Sequence, residues 1–133
     1  MGILIDSSVF INVGRSGMDL PSPDPGREEE ATFLSVVSAS ELLDGVHRAR
    51  TPKQRAKRLA FVEGVLAALP TIEIDVATAR SHAQLWAELS LHGMRIGVND
   101  SWIAATCLTH GLRLATGNVR EFERIPGLEV EKW

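Results

Sequence analysis

Short apolar runs alternate with longer amphipathic stretches along the chain. Gly2 to Ile5 is apolar and ends at Asp6. A continuous apolar run this short predicts a strand buried on both faces. Ser7 and Ser8 can cap a following helix that carries Val9, Phe10, Ile11 and Val13. Residues 15–30, through Pro21, Pro23, Pro25 and Gly26, read as a loop, since these residues do not sustain a helix. So long a loop in a small domain is usually functional or mobile, and Glu28 to Glu30 reads as a solvated acidic run.

Thr32 to Val37 predicts a second strand. Ser38 and Glu41 have capping-box spacing ahead of a helix through Leu42, Leu43 and Val46. Pro52 opens a helix to about Leu69, with Leu59, Val62, Val65, Leu66 and Leu69 as its buried stripe. Pro70 stops it, and Ile72, Ile74 and Val76 alternate as a third strand. Ala77 to Leu91 predicts a helix with Ala79, Ala83, Leu85, Trp86 and Leu89 on its apolar side, closed by Gly93. Another helix begins near Asn99 and Asp100, either of which can cap it, and ends before Gly111. Leu112 to Thr116 predicts the fourth strand, Val119 to Phe122 one helical turn, and Leu128 to Val130 a last edge strand. The alternation predicts one α/β domain over residues 1–133, a mainly parallel sheet with helices on both faces.

Composition narrows the function classes. The chain has 133 residues, 44% hydrophobic and 23% charged, which is ordinary for a domain with a proper core. No apolar run approaches the ~20 residues of a membrane helix. The opening Met1 to Asp6 lacks a basic signal-peptide region. The single cysteine, Cys107, falls in an apolar helix and reads as a buried thiol, so a cytoplasmic location is expected. Net charge is −3, but six of the 14 basic residues lie between 48 and 58: Arg48, Arg50, Lys53, Arg55, Lys57 and Arg58. Cations at a helix N-terminus oppose its dipole. The cluster is either a solvated face or a grip for an external polyanion such as RNA.

Three acids carry the candidate chemistry. Asp6, Glu41 and Asp100 each sit beside a strand-like run, and a parallel sheet gathers such positions at its carboxyl edge. Asp100 and Glu41 each also have a capping explanation. Clustered carboxylates repel unless a hard cation lies between them, and Mg²⁺ or Mn²⁺ prefers oxygen ligands. Zinc is not expected, because His82 and His92 have no His or Cys partner at metal spacing. A carboxylate-held cation suits phosphodiester hydrolysis. No P-loop, no GxGxxG and no serine–histidine pairing competes. Trp86 and Trp102 read as packing residues.

The segments Ile3-Leu4-Ile5-Asp6-Ser7-Ser8, Ser38 to Gly45, Gly97 to Ala105 and Thr116 to Phe122 resemble the ordered motifs of PIN-domain ribonucleases. In particular the chain resembles the VapC toxins of toxin–antitoxin pairs, including the carboxyl-terminal Phe122 to Trp133. The resemblance covers essentially the whole chain. It implies a PIN-like three-layer fold and a Mg²⁺- or Mn²⁺-dependent endoribonuclease with Asp6, Glu41 and Asp100 as the acids. Where the family often has a fourth acid, this chain has Asn118, with Glu121 three residues on. Either Asn118 gives a neutral oxygen to a metal or Glu121 reaches in. Thr116 and Ser7 would orient an acid or a water. The resemblance further implies a VapB-type antitoxin partner, a homodimer and a hetero-oligomer of the two. The rivals are a PIN-like RNA-binding module without activity, and a phosphotransfer enzyme with Asp6 as nucleophile. Against the second, Ser8 stands where a paired acid is expected.

Overall fold

The computed structural model describes residues 2–16 and 30–133. The proline-rich loop and Glu28 and Glu29 lie outside the described residues. In chain order the elements are β1 (Ile3–Ile5), α1 (Ser7–Ser16), β2 (Thr32–Ser35), α2 (Val36–His47), α3 (Pro52–Ala68), β3 (Thr71–Ile72), α4 (Val76–Leu91), α5 (Val98–His110), β4 (Arg113–Thr116), α6 (Val119–Phe122) and β5 (Val130–Lys132). Among the described residues the strands form one sheet in the order β3-β2-β1-β4-β5, every neighbouring pair parallel.

Period-two alternation divides the interior into two cores. Ile3 and Ile5 of β1 point to one face, where they meet Val9 and Phe10 of α1, Leu42 and Val46 of α2, and Val62 and Val65 of α3. Leu4 points to the other, with Leu85 and Leu89 of α4, Ile103 and Cys107 of α5, and Phe122 of α6. β4 splits in the same way, Ala115 to the first core and Leu114 to the second. Helices therefore cover both faces, as the pattern of the sequence predicts. Each fully buried large side chain of this kind contributes roughly 1.5–3 kcal/mol.

Several boundaries differ from the apolar runs, and each has a local cause. β2 stops at Ser35, because the Ser35 side chain accepts from Val37 N at 3.0 Å and caps α2. Ser38 is thus inside the helix, and the expected capping box with Glu41 is not formed. β3 ends at Ile72, because Asp75 caps α4 through Thr78 N and draws Val76 into that helix. β4 starts one residue after Leu112, whose N–H is taken by Cys107 O in the left-handed turn at Gly111. The last strand is shifted to Val130–Lys132 by the turn at Gly127, with φ of 80°. α1 runs through Ser16, beyond the expected loop start at Arg15.

The helices also bury narrower faces than expected. Leu59 is exposed while Val62 and Val65 are buried, and Ala79 and Ala83 of α4 face outward. One buried charge had no pattern to announce it. Arg113 opens β4 with its side chain 7% exposed and pairs with Glu30 and Glu131, tying the approach to β2 and strand β5 to β4.

Candidate active site

The chain builds β1, β2 and β3 outward on one side, then returns to place β4 on the other side of β1. The crevice beyond the carboxyl ends of β1 and β4 is the point in such a sheet where ligands bind. Asp6 follows β1 directly, and its N–H donates to Ala115 O of β4 at 2.8 Å. Asp6 is buried.

Two hydroxyls hold the Asp6 carboxylate. Ser8 Oγ donates to Oδ2 at 2.7 Å and Thr116 Oγ1 donates to the same oxygen at 2.9 Å. Each hydroxyl also accepts a backbone bond from the loop after β4. Gly117 N donates to Ser8 at 3.0 Å, and Asn118 N donates to Thr116 at 3.0 Å. The loops after β1 and β4 are clasped through one carboxylate. A side chain at Gly117 would place its Cβ 2.9 Å from Asn12 Nδ2, so the clasp leaves little room at that position.

Glu41 is presented by the middle of α2. Ser7 Oγ donates to its Oε1 at 3.1 Å, and the Asn99 side chain also hydrogen-bonds it. Burial raises the Glu41 pKa and the charge of Asp6 adds to this, while the bonds from Ser7 and Asn99 oppose it. Asp100 lies in the first turn of α5, but neither it nor Asn99 is the cap: the N-cap is Gly97, with no side-chain bond. The Asp100 carboxyl is pushed up to about 6, by burial first and then by the charges of Asp6, Glu41 and Glu121. A helix N-terminus favours negative charge. Here burial and three like charges outweigh it. The structure therefore brings Asp6, Glu41, Asp100 and Glu121 into one electrostatic field.

Asn118 caps α6 without a side-chain cap bond and is exposed. Glu121, in the first turn of α6, pairs with Arg124 at 3.3 Å. An open cleft of about 430 Å³ is lined by Glu41, Gly97, Val98, Asn99 and Asp100. Among the described residues no three Asp, Glu, His or Cys side chains close tightly enough to hold an ion alone. The donors are hard oxygens under mutual repulsion, which a cation relieves. By donor type such oxygens suit Mg²⁺ or Mn²⁺ rather than zinc.

The basic cluster divides into parts. Arg58 Nη1 donates to Gly45 O at 2.9 Å and Arg55 Nη2 to Ala49 O at 3.4 Å. These two serve the carboxyl end of α2, whose carbonyls attract cations. Their place at the start of α3 thus needs no external anion. Arg48 pairs with Asp44 at 2.7 Å, both side chains exposed. Arg50, Lys53 and Lys57 are exposed. His82 stacks on Trp86 and Trp102. Cys107 is buried, and its thiol is pushed up to about 12 by burial and then by the Asp6 charge.

Ser8 and Asn99 are the site residues that motif reading passes over. The run Asp6-Ser7-Ser8 holds the signal, since a short helix start places both hydroxyls within reach of the acids.

A family model described as PIN domain matches residues 3–128. The chain is 35% identical over 130 residues to a protein named Ribonuclease VapC1 of Rickettsia felis, covering 98% of this chain and 95% of that one. It is 36% identical over 100 residues to the tRNA(fMet)-specific endonuclease VapC of Salmonella typhimurium, covering 75% of this chain and 74% of that one. Among solved structures it superposes on a chain of DNA-bound VapBC from Salmonella typhimurium with a TM-score of 0.84 and 29% identity, covering 100% of this chain and 98% of that one.

Proposed function

Because the chain belongs to the PIN-domain family, with VapC ribonucleases among its relatives, we propose that it is a divalent-metal-dependent endoribonuclease, the toxin of a toxin–antitoxin pair. The observation that carries this is the convergence of Asp6, Glu41 and Asp100 on one field, with Asp100 raised to about 6 by burial and by its neighbours. Half-buried carboxylates crowded at an open cleft are what a cation site looks like before its ion is bound.

A bound Mg²⁺ or Mn²⁺ supplies a water of lowered pKa and charge stabilisation at the scissile phosphate. Asp6 and Asp100 would hold it, with Glu41 and the neutral oxygen of Asn118 as further donors. Ser8 and Thr116 fix the orientation of Asp6. Glu41, steadied by Ser7 and Asn99, orients the attacking water. Attack by water breaks the bond from phosphorus to the 3′ oxygen, leaving a 3′-hydroxyl and a 5′-phosphate. Glu121 stands by on α6 as the alternative fourth acid. Arg50, Lys53 and Lys57, with Arg48, meet RNA phosphates.

One relative carries tRNA(fMet) in its name, which makes a structured transfer RNA the first substrate to try. The VapBC superposition supports a VapB-type antitoxin as partner, within a hetero-oligomer built on a homodimer. Cutting such RNA would arrest translation and growth in the cytoplasm. Among the described residues no helix is long and apolar enough to cross a membrane.

The test is cleavage of purified transfer RNA by antitoxin-free protein with Mg²⁺, with Mn²⁺ and with chelator, beside a folded Asp100→Asn variant. Discrete fragments with 5′-phosphate ends that need metal and vanish in the variant support the reading. Folded protein that binds RNA equally well with or without the substitution, and cuts none, replaces it with an RNA-binding module.

A further inference from the structure

The turn that presents Asn99 and Asp100 to the cleft begins without the usual support. Its N-cap is Gly97, which has no side-chain oxygen to accept from the first N–H groups. A different contact holds it. Ser101, buried one position after Asp100, turns its Oγ back to Val98 O at 2.5 Å. The same Oγ lies 2.9 Å from His82 Nε2 of α4. The hydroxyl has one proton, and Val98 O can only accept it. His82 must therefore donate its Nε2–H, which assigns the tautomer.

The imidazole is itself fixed. It lies flat against Trp102, with ring centroids 3.7 Å apart and planes 8° apart, and against Trp86 at 5.6 Å and 16°. Arg95 lies over the Trp86 ring at 5.6 Å. A lone packing histidine needs neither two parallel aromatic neighbours nor a directed bond into a helix start.

We propose that His82 is a positioning residue for the acid site: stacked on Trp102 and Trp86, it holds the Ser101 hydroxyl and through it the first turn of α5, so that Asn99 and Asp100 keep a fixed aim at the cleft. This rests on the nuclease reading for its effect on catalysis, but not for its effect on the turn. A side chain held within a fraction of an ångström matters because small misplacements of catalytic groups cost large factors in rate.

The test compares His82→Phe, which keeps a flat ring in the stack but no donor, with His82→Gln, which returns an N–H near the place of Nε2. Ser101→Ala removes the acceptor and carries the test if the phenylalanine variant does not fold. Two readouts are taken: hydrogen exchange of the Ser101 amide, whose N–H donates to Gly97 O at 2.9 Å, in metal-free protein, and kcat and KM for RNA cleavage. In His82→Phe and Ser101→Ala exchange of that amide is expected to quicken about tenfold, and kcat to fall about tenfold with KM within about twofold. His82→Gln is expected to recover most of both. Wild-type exchange and kcat in His82→Phe overturn the proposal, and so does a glutamine variant as impaired as the phenylalanine one, since that reports packing alone. If the wild-type protein cuts no RNA, the nuclease reading falls, while the exchange readout still decides the role of His82.

Discussion

Thr116 donates to Asp6 Oδ2 at 2.9 Å across 110 positions of the chain, and both side chains are buried. The bond joins the ends of β1 and β4 at the crevice where the sheet order reverses. Thr116→Val keeps the shape and removes the donor. It leaves Asp6 with only the Ser8 hydroxyl at Oδ2 and orphans the Asn118 N–H. The variant is expected to lose about 1–3 kcal/mol of stability in urea unfolding and about tenfold or more in RNA cleavage. Thr116→Ser is expected to retain most of both.

Asp100 makes the metal-free protein sensitive to pH in a direction opposite to that of a salt-bridged acid. Its pKa is raised from 3.8 to about 6 on folding, so between those values the folded protein holds more protons than the unfolded chain. Stability therefore falls as pH rises through this window, and Glu41, also raised, acts the same way. Asp100→Asn is expected to stabilise the metal-free protein by about 1–2 kcal/mol at pH 7.5, after allowance for solvent screening of a half-exposed group. The gain is expected to vanish near pH 3.5. Thermal melts at both values measure it. Added Mg²⁺ is expected to raise Tm more for the wild type than for the variant, and equal shifts would remove the metal from this site.

How much of this was legible beforehand follows from which forces act locally. The strand-then-acid rhythm at Ile5-Asp6 and the αL stop at Gly111 are local, and both stand where the pattern puts them. Asp6, Glu41 and Asp100 come together because a parallel sheet must bring its carboxyl ends to one edge. The caps were not legible. Ser35 and Gly97 take the helix starts that the sequence offers to Ser38 and to Asn99 or Asp100, and tertiary packing decides between them. The role of Asn99 depends on which loop faces which, information carried only by the assembled sheet.

Arg113 is the buried charge on which the opposite end of the sheet depends. Its guanidinium meets Glu30, whose side chain is 12% exposed, and Glu131, 26% exposed. Arg113→Met fills similar space but leaves two carboxylates facing each other with little water. A loss of about 3 kcal/mol or more in urea unfolding is expected, since removing one partner of a buried pair strands the other. A triple variant that also carries Glu30→Gln and Glu131→Gln is expected to recover part of it. No recovery would mean that Arg113 acts through packing.

The two uses of the basic cluster can be separated by salt. Arg58 and Arg55 are committed to carbonyls at the end of α2, so Arg58→Ala is expected to cost about 0.5–1.5 kcal/mol of stability. Lys53 and Lys57 are exposed and carry no side-chain pairing among the described residues. Lys53→Glu with Lys57→Glu is then expected to leave the melting temperature unchanged and to weaken RNA binding at low salt. The slope of log K against log salt is expected to flatten by about 1–2, as two phosphate contacts are lost. Binding measured from 50 to 300 mM salt checks this. An unchanged slope would make the exposed lysines a solvated face and leave the cluster with its structural role at α2 alone.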